Sequence, residues 1–285
     1  MVAIFCRAAP RFAHNVAKHR CGVRVMALCD HDTLSGVREL MSNVSDLPLG
    51  LIAGVEINSV ATGIEDLWEG ELHILGLGVD PQSDAFEATL ARQRDARAER
   101  FRSIVARLRA LGMPVDDGVE KLGSVPGSAM GRPQIARLLV DAGFAPTVDA
   151  AMTELLARGM PAYVPRQGLG PKEAIAAVAA AGGVASLAHF ADATSRRDLV
   201  EMLKSWGLAA LEVHYRHFDA ATVAGMSRLA HDMGLISTGG SDYHGDGETY
   251  AQAHAALFVP DEDAADLRAD LGRRTSTPAT AVEDR

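Results

Sequence analysis

The chain has 285 residues, 48% hydrophobic and 23% charged, a globular composition able to build a core without covalent staples. A formal net charge of −9 argues against a protein whose whole surface grips nucleic acid, while leaving room for a local basic pocket. The three cysteines, Cys6, Cys21 and Cys29, form neither a disulfide framework nor a CxxC pair, so a reducing, cytoplasmic setting is expected, and no apolar run approaches the roughly 18 residues of a membrane span.

Residues 1–21 are atypical. Arg7, Arg11, Lys18, Arg20 and Arg24 precede the first acidic residue, Asp30. Such a start can look like a transit peptide but lacks the expected serine richness. Residues 23–29 are a short apolar run, predicted as a buried strand that ends at Asp30-His31-Asp32-Thr33. A helix over 34–41 follows, then strands over 51–57 and 71–77. Three helical patterns, 84–111, 132–140 and 148–156, then run without an intervening strand. Pro171 opens a further helix that Gly182 closes before a strand over 183–189. Helices around 199–206 and 220–233 alternate with strands over 209–213, 235–238 and 255–259, and a short helix leads to a polar tail. Alternating strands and helices imply βα units and a parallel sheet. The expected division is a barrel from 22–80 and 166–272, a helical cap inserted over 81–165 and a tail over 273–285.

The polar residues fall in a pattern. His31, Glu56, His73, His189 and the Asp242/His244 pair lie at or just after the predicted C-terminal ends of strands, which in a parallel sheet share one face. Imidazoles and carboxylates converging there are what divalent transition metals need. A carboxylate such as Glu56 can bridge two ions, and two ions about 3.5–4 Å apart can clamp a phosphoryl group. Singly, each residue has a structural explanation: a lone histidine is usually just packed, Asp30-His31-Asp32 can cap a helix, and Glu56 can be salt-bridged. Six such groups at strand ends argue together for a metal site.

The segments Ala27-Leu28-Cys29-Asp30-His31-Asp32-Thr33, Gly54-Val55-Glu56-Ile57, Leu72-His73-Ile74-Leu75-Gly76, Leu187-Ala188-His189 and Gly240-Ser241-Asp242-Tyr243-His244-Gly245 resemble, in that order, those of PHP-domain (polymerase and histidinol phosphatase) metallophosphoesterases. Gly131-Arg132-Pro133 and residues 159–165 resemble the branch that acts on nucleoside 3′,5′-bisphosphates and, as a 5′-to-3′ exonuclease, on short RNA. The resemblance implies an α/β fold, a distorted barrel of seven βα units with the helical cap inserted. It implies up to three divalent metals, manganese first and iron or zinc as alternatives. Glu56 would bridge two of them, His73 and His189 would join it at one, Asp242 would complete another, and His31 with His244 would serve the third. Glu56 and Asp242 would be the catalytic pair around a metal-activated hydroxide. The family opens with a strand ending in His-x-His, followed by Ser-Asp-Gly, and neither occurs here; His14 and His19 are five apart. That departure from the resemblance implies a misread or truncated start, and the first strand is expected to be missing or altered. The alternative is a degenerate, non-catalytic relative that binds nucleotide or protein.

Arg132, ahead of Pro133 at a predicted helix start, suits a phosphate grip, as the resemblance also implies. Arg158, Tyr163 and Arg166 lie where that branch shapes its substrate pocket. The arginines of 84–111 interleave with Asp84, Glu87, Asp95 and Glu99 and read as a solvated face. His214, Tyr215 and His217 are expected to support neighbouring site residues or substrate, not to ligate. The expected partners are a small phosphorylated substrate, nucleotide or short RNA, with no membrane and no stable DNA complex. A polymerase-attached module lacks a polymerase sequence here, and an amidohydrolase-type barrel lacks a bridging lysine at a strand end, since Lys172 opens a helix.

Overall fold

The computed structural model describes residues 2–5, 25–43, 50–64, 67, 70–123, 131–243, 257 and 259–276. They form two compact units: one of Met1–Ser59, Leu72–Thr89 and Gly170–Arg285, the other of Val60–Glu71 and Leu90–Leu169.

The first unit is built on a closed seven-stranded barrel: β1 (Val2–Phe5), β2 (Val25–Leu28), β3 (Gly50–Val60), β4 (Glu71–Leu77), β5 (Val184–Leu187), β6 (Ala210–Tyr215) and β7 (Ile236–Gly240). The expectation that the first strand is missing or altered resolves as altered. Val2–Phe5 forms it, pairing in parallel with β2 and meeting β7 at Ile4↔Gly240, but it carries no histidine. The strands are largely apolar, with Val25, Ala27, Ile52, Leu75, Leu77, Val184 and Ala210 packed in one buried cluster. Around them come helices α1 (Ser35–Asn43), α5 (Pro171–Ala180), α6 (Arg197–Ser205), α7 (Ala220–Met233) and α8 (Asp261–Ser276). Helix α8 is longer than the short helix expected and runs through the start of the predicted tail; the predicted strand over 255–259 falls mostly outside the described residues.

The sheet is not wholly parallel. β4 pairs antiparallel with β5, through Ile74↔Leu187 to Leu77↔Val184. Its bonds to β3 have the same sense, from Gly78 N to Ala53 O and from Ser59 Oγ to the Leu72 carbonyl. Residues 61–70 connect β3 to β4, and so short a link returns the chain antiparallel rather than through a parallel crossover.

The second unit is helical: α2 (Asp84–Ala110, whose first turns belong to the barrel unit), α3 (Asp116–Gly123), α4 (Arg132–Asp141) and a turn at Val148–Ala150 that widens into a π-helix over Ala151–Leu156. Phe101, Ile104, Leu108, Ile135, Leu139 and Leu156 close its core. Helix α3 was not expected from the sequence pattern. No described helix is long and apolar enough to cross a membrane.

Candidate functional site

Four segments meet at one mouth of the barrel. Just past β2, His31 forms an isolated parallel bridge with Glu56 of β3, secured by Glu56 N to Asp30 O (3.0 Å) and Asp32 N to Glu56 O (2.9 Å). Glu56 lies in the middle of β3, not at its end, because β3 runs on to Val60. His73 is the third residue of β4, near its N-terminal end. The expectation of a C-terminal end is corrected here: His73 shares the mouth because β4 is reversed. His189 follows β5, and the Ala188 amide bonds to the His73 carbonyl at 3.0 Å.

Glu56 is 1% exposed, and its two oxygens serve different sides. Oε1 lies 2.6 Å from His73 Nδ1 and 3.3 Å from His189 Nε2, while Oε2 lies 3.6 Å from His31 Nδ1. His73 Nδ1 and His189 Nε2 are 3.0 Å apart. These three donor atoms form a triangle, and Glu56, His73 and His189 are the metal-capable group among the described residues. Its edges match three neighbouring ligands around one ion bound at about 2.0–2.2 Å, and nitrogen with carboxylate oxygen is the donor chemistry of a divalent transition metal. The residues present therefore fit such an ion. Burial opposes the Glu56 charge, but His31, His73 and His189 outweigh it and hold its carboxyl well below the usual range. Burial likewise pulls on His189, yet the Glu56 hydrogen bond and charge, with Asp242 and Glu212, lift its pKa to about 9.

Asp242 follows β7; its Oδ2 accepts from the Tyr215 hydroxyl at 3.3 Å and its carbonyl from Arg216 Nη2 at 3.4 Å. His244 lies outside the described residues. Asp32, His189 and Asp242 are the non-glycine residues with positive φ (54°, 31° and 46°) among the described residues. Left-handed backbone at such residues costs about 1–3 kcal/mol each, and its gathering on the segments that carry the site is what a functional constraint predicts. Thr33 Oγ1 accepts from the Ser35 amide, while the buried Asp32 carboxylate accepts from the Asn58 amide at 3.3 Å.

Two contributors were missed by sequence reading. Asn58 Nδ2 lies 2.9 Å from His73 Nε2 and so governs which ring nitrogen carries the proton. Glu212, inside β6, is 2% exposed, and its Oε2 accepts the His189 amide at 2.7 Å. A carboxylate in an otherwise apolar strand was the available signal for Glu212; Asn58, two residues after Glu56, shares its face of β3 by the period of two. His214, in contrast, turns away to Asp263 of α8, at 2.7 Å.

In the helical unit, Arg132 is the first residue of α4, with Pro133 behind it. Arg132, Arg166 and Arg100 gather about the Glu71 carboxylate, with nitrogens 4.0, 3.1 and 3.4 Å from Oε1. Tyr163 lies under the Arg100 guanidinium, 6.0 Å from ring centre to carbon, and its carbonyl accepts from Arg107. Arg158 stands in the turn after the π-helix, with its Nη1 3.8 Å from where a Cβ on Gly70, the residue before Glu71, would lie.

No family model matches the chain. It is 35% identical over 248 residues to the 5′-3′ exoribonuclease Rnm of Salmonella typhimurium, covering 81% of this chain and 78% of that one. It is 31% identical over 229 residues to the 3′,5′-nucleoside bisphosphate phosphatase of Chromobacterium violaceum, covering 79% and 78%. Among solved structures, one from Bifidobacterium adolescentis described as a metal-dependent phosphoesterase superposes with a TM-score of 0.77 at 28% identity, covering 94% and 96%.

Proposed function

Because the chain belongs to the family of metal-dependent phosphoesterases that includes 5′-3′ exoribonucleases and a 3′,5′-nucleoside bisphosphate phosphatase, we propose that it hydrolyses phosphoesters of nucleoside 3′,5′-bisphosphates or short RNA ends. The observation that carries the reading is the Glu56 Oε1, His73 Nδ1, His189 Nε2 triangle in a chain of this family. Hydrolysis puts a water oxygen on phosphorus and breaks a P–O bond. Divalent ions supply an ionised nucleophile near neutral pH and neutralise phosphoryl charge.

The residues of the chain do the rest. Glu56 enters as an ionised carboxylate and offers one oxygen to each side, which suits a bridging ligand. His73 presents Nδ1 to Glu56, and Asn58 Nδ2 stands 2.9 Å from the other ring nitrogen, Nε2, which fixes how the ring is turned. His31, Asp242 and His244 would complete the positions for up to three ions, manganese first and iron or zinc as alternatives. Arg132, at a helix N-terminus, grips a substrate phosphate, with Tyr163 and Arg158 shaping the pocket beside it. The buried free thiol of Cys29 suits a reducing, cytoplasmic compartment.

The test supplies protein loaded with Mn2+ with adenosine 3′,5′-bisphosphate and with a short 5′-phosphorylated RNA. Metal-dependent release of phosphate or mononucleotide, abolished by chelator, supports the proposal. Full metal loading without turnover of either substrate overturns it in favour of the non-catalytic relative, the reading motivated by the missing His-x-His and Ser-Asp-Gly.

A further inference from the structure

Each of the three non-glycine residues with positive φ among the described residues is tied to a neighbouring strand. β3 holds Asp32, through the Glu56 carbonyl and the Asn58 amide. The other two are held by β6, a strand that supplies no member of the donor triangle. Glu212 Oε2 takes the backbone N–H of His189, whose φ is +31°, at 2.7 Å. Three residues on, the Tyr215 hydroxyl reaches the Asp242 carboxylate, and Arg216 reaches the Asp242 carbonyl. The Tyr215 ring also lies against the His189 ring, with centroids 5.7 Å apart.

β6 can do this because its register breaks. The pairing with β7 runs Glu212↔Thr238 and then His214↔Gly239, an irregularity of the kind that re-aims side chains next to a site. Gly239 makes the close approach possible: a Cβ there would fall 2.6 Å from both the Cβ and the carbonyl oxygen of His214. The break leaves Glu212 turned to the β5 end and Tyr215 to the β7 end, while His214 points to α8.

We infer that β6 is the positioning strand of the site, with Glu212 fixing the backbone of His189 so that its imidazole meets Glu56 and His73. The inference rests on the metal-dependent reading above. Glu212 is placed as a positioning residue and not a fourth donor: its Oε2 is engaged by a peptide N–H, and it is not in the group of Glu56, His73 and His189 whose donor atoms lie within 4.8 Å of one another among the described residues. A carboxylate accepting a backbone N–H makes a charge-assisted bond, stronger than a neutral one, which suits a residue that must hold left-handed backbone.

The test uses the full chain stripped of metal, with Glu212→Ala and Glu212→Gln. Glutamine keeps an oxygen that can accept the same N–H; alanine does not. Mn2+ titrated calorimetrically into each protein gives affinity and stoichiometry, and amide hydrogen exchange of the metal-free proteins reports the His189 N–H directly. Glu212→Ala is expected to weaken Mn2+ binding about 10-fold or more with unchanged stoichiometry, the range seen when partners of ligand residues are lost. It is expected to release the His189 amide to exchange while Ser186 and Leu187 of β5 stay protected. Glu212→Gln is expected to recover most of both. If Glu212→Gln binds as poorly as Glu212→Ala and loses an equivalent of metal, Glu212 is itself a donor and the inference falls. It falls equally if Glu212→Ala binds Mn2+ and protects His189 as the parent does. Should Glu212→Ala fail to fold, the Glu212→Gln arm and the parent decide. A parent chain that binds no Mn2+ refutes the metal reading instead, and the exchange measurement still judges the positioning role.

Discussion

The charges at the barrel mouth predict a specific pH dependence for the metal-free chain. The His189 pKa moves from 6.5 to about 9 because Glu56, Asp242 and Glu212 favour its charged form more than burial disfavours it. A folded pKa above the unfolded one gives stability that is complete below pH 6.5 and is lost as the pH rises through about 9. The shift corresponds to about 3 kcal/mol at most. The ring is 26% exposed, and screening by water brings the expected loss to the order of 1–2 kcal/mol. Glu212, raised to about 7 by burial in spite of His189, adds a loss of the same sign between pH 4.5 and about 7. Glu56→Gln removes the charge that leads the lift, so in that variant burial governs His189 and the fall above pH 6.5 flattens. Urea unfolding in chelator at about pH 6 and about pH 9, for parent and Glu56→Gln, measures it, with both carried in a Cys29→Ala background that removes the buried thiol, whose pKa burial and then Glu56 push up. A parent equally stable at both pH values, or a variant that keeps the parent's full slope, refutes the reasoning.

Three further outcomes are expected. Glu56→Ala and Asp242→Ala are each expected to lower metal-dependent phosphate release by about 100-fold or more at saturating Mn2+, followed by a phosphate assay, because each removes a carboxylate from the proposed metal centre. Arg132→Ala raises KM for a nucleotide substrate about 10-fold with a smaller change in kcat, a split that steady-state kinetics resolves and that marks loss of a phosphate grip. Gly239→Ala drives a methyl against the His214 backbone and costs about 1–3 kcal/mol in urea unfolding, with a lower Mn2+ affinity, since the β6 register shifts with it.

Much of this molecule is written locally in the chain. Apolar runs bounded by glycines and polar turns fix where β2, β5, β6 and β7 lie, and the 27-residue pattern of α2 declares itself without tertiary help. Residue chemistry likewise marked His31, Glu56, His73 and His189, because imidazoles and an acid at the ends of apolar strands are costly without a task. Strand direction was not legible. A short apolar run looks the same in either sense, so the reversal of β4, and with it the way His73 reaches the mouth, is set by the short link from β3. Glu212 and Asn58 escaped notice for the same reason: their importance lies in which atom they meet across the sheet, at 2.7 and 2.9 Å.

The amino-acid order by itself determined most of the elements and the donor chemistry that suits a divalent metal, because these depend on side-chain identity and short-range periodicity. Only the closed barrel decided that one Glu56 oxygen meets two imidazoles while the other faces a third, and that β6, without a residue in the donor triangle, holds two of the strained residues in place. Those facts depend on contacts between residues more than a hundred positions apart, such as Glu56 and His189, and on backbone held in left-handed conformations that no local preference would choose.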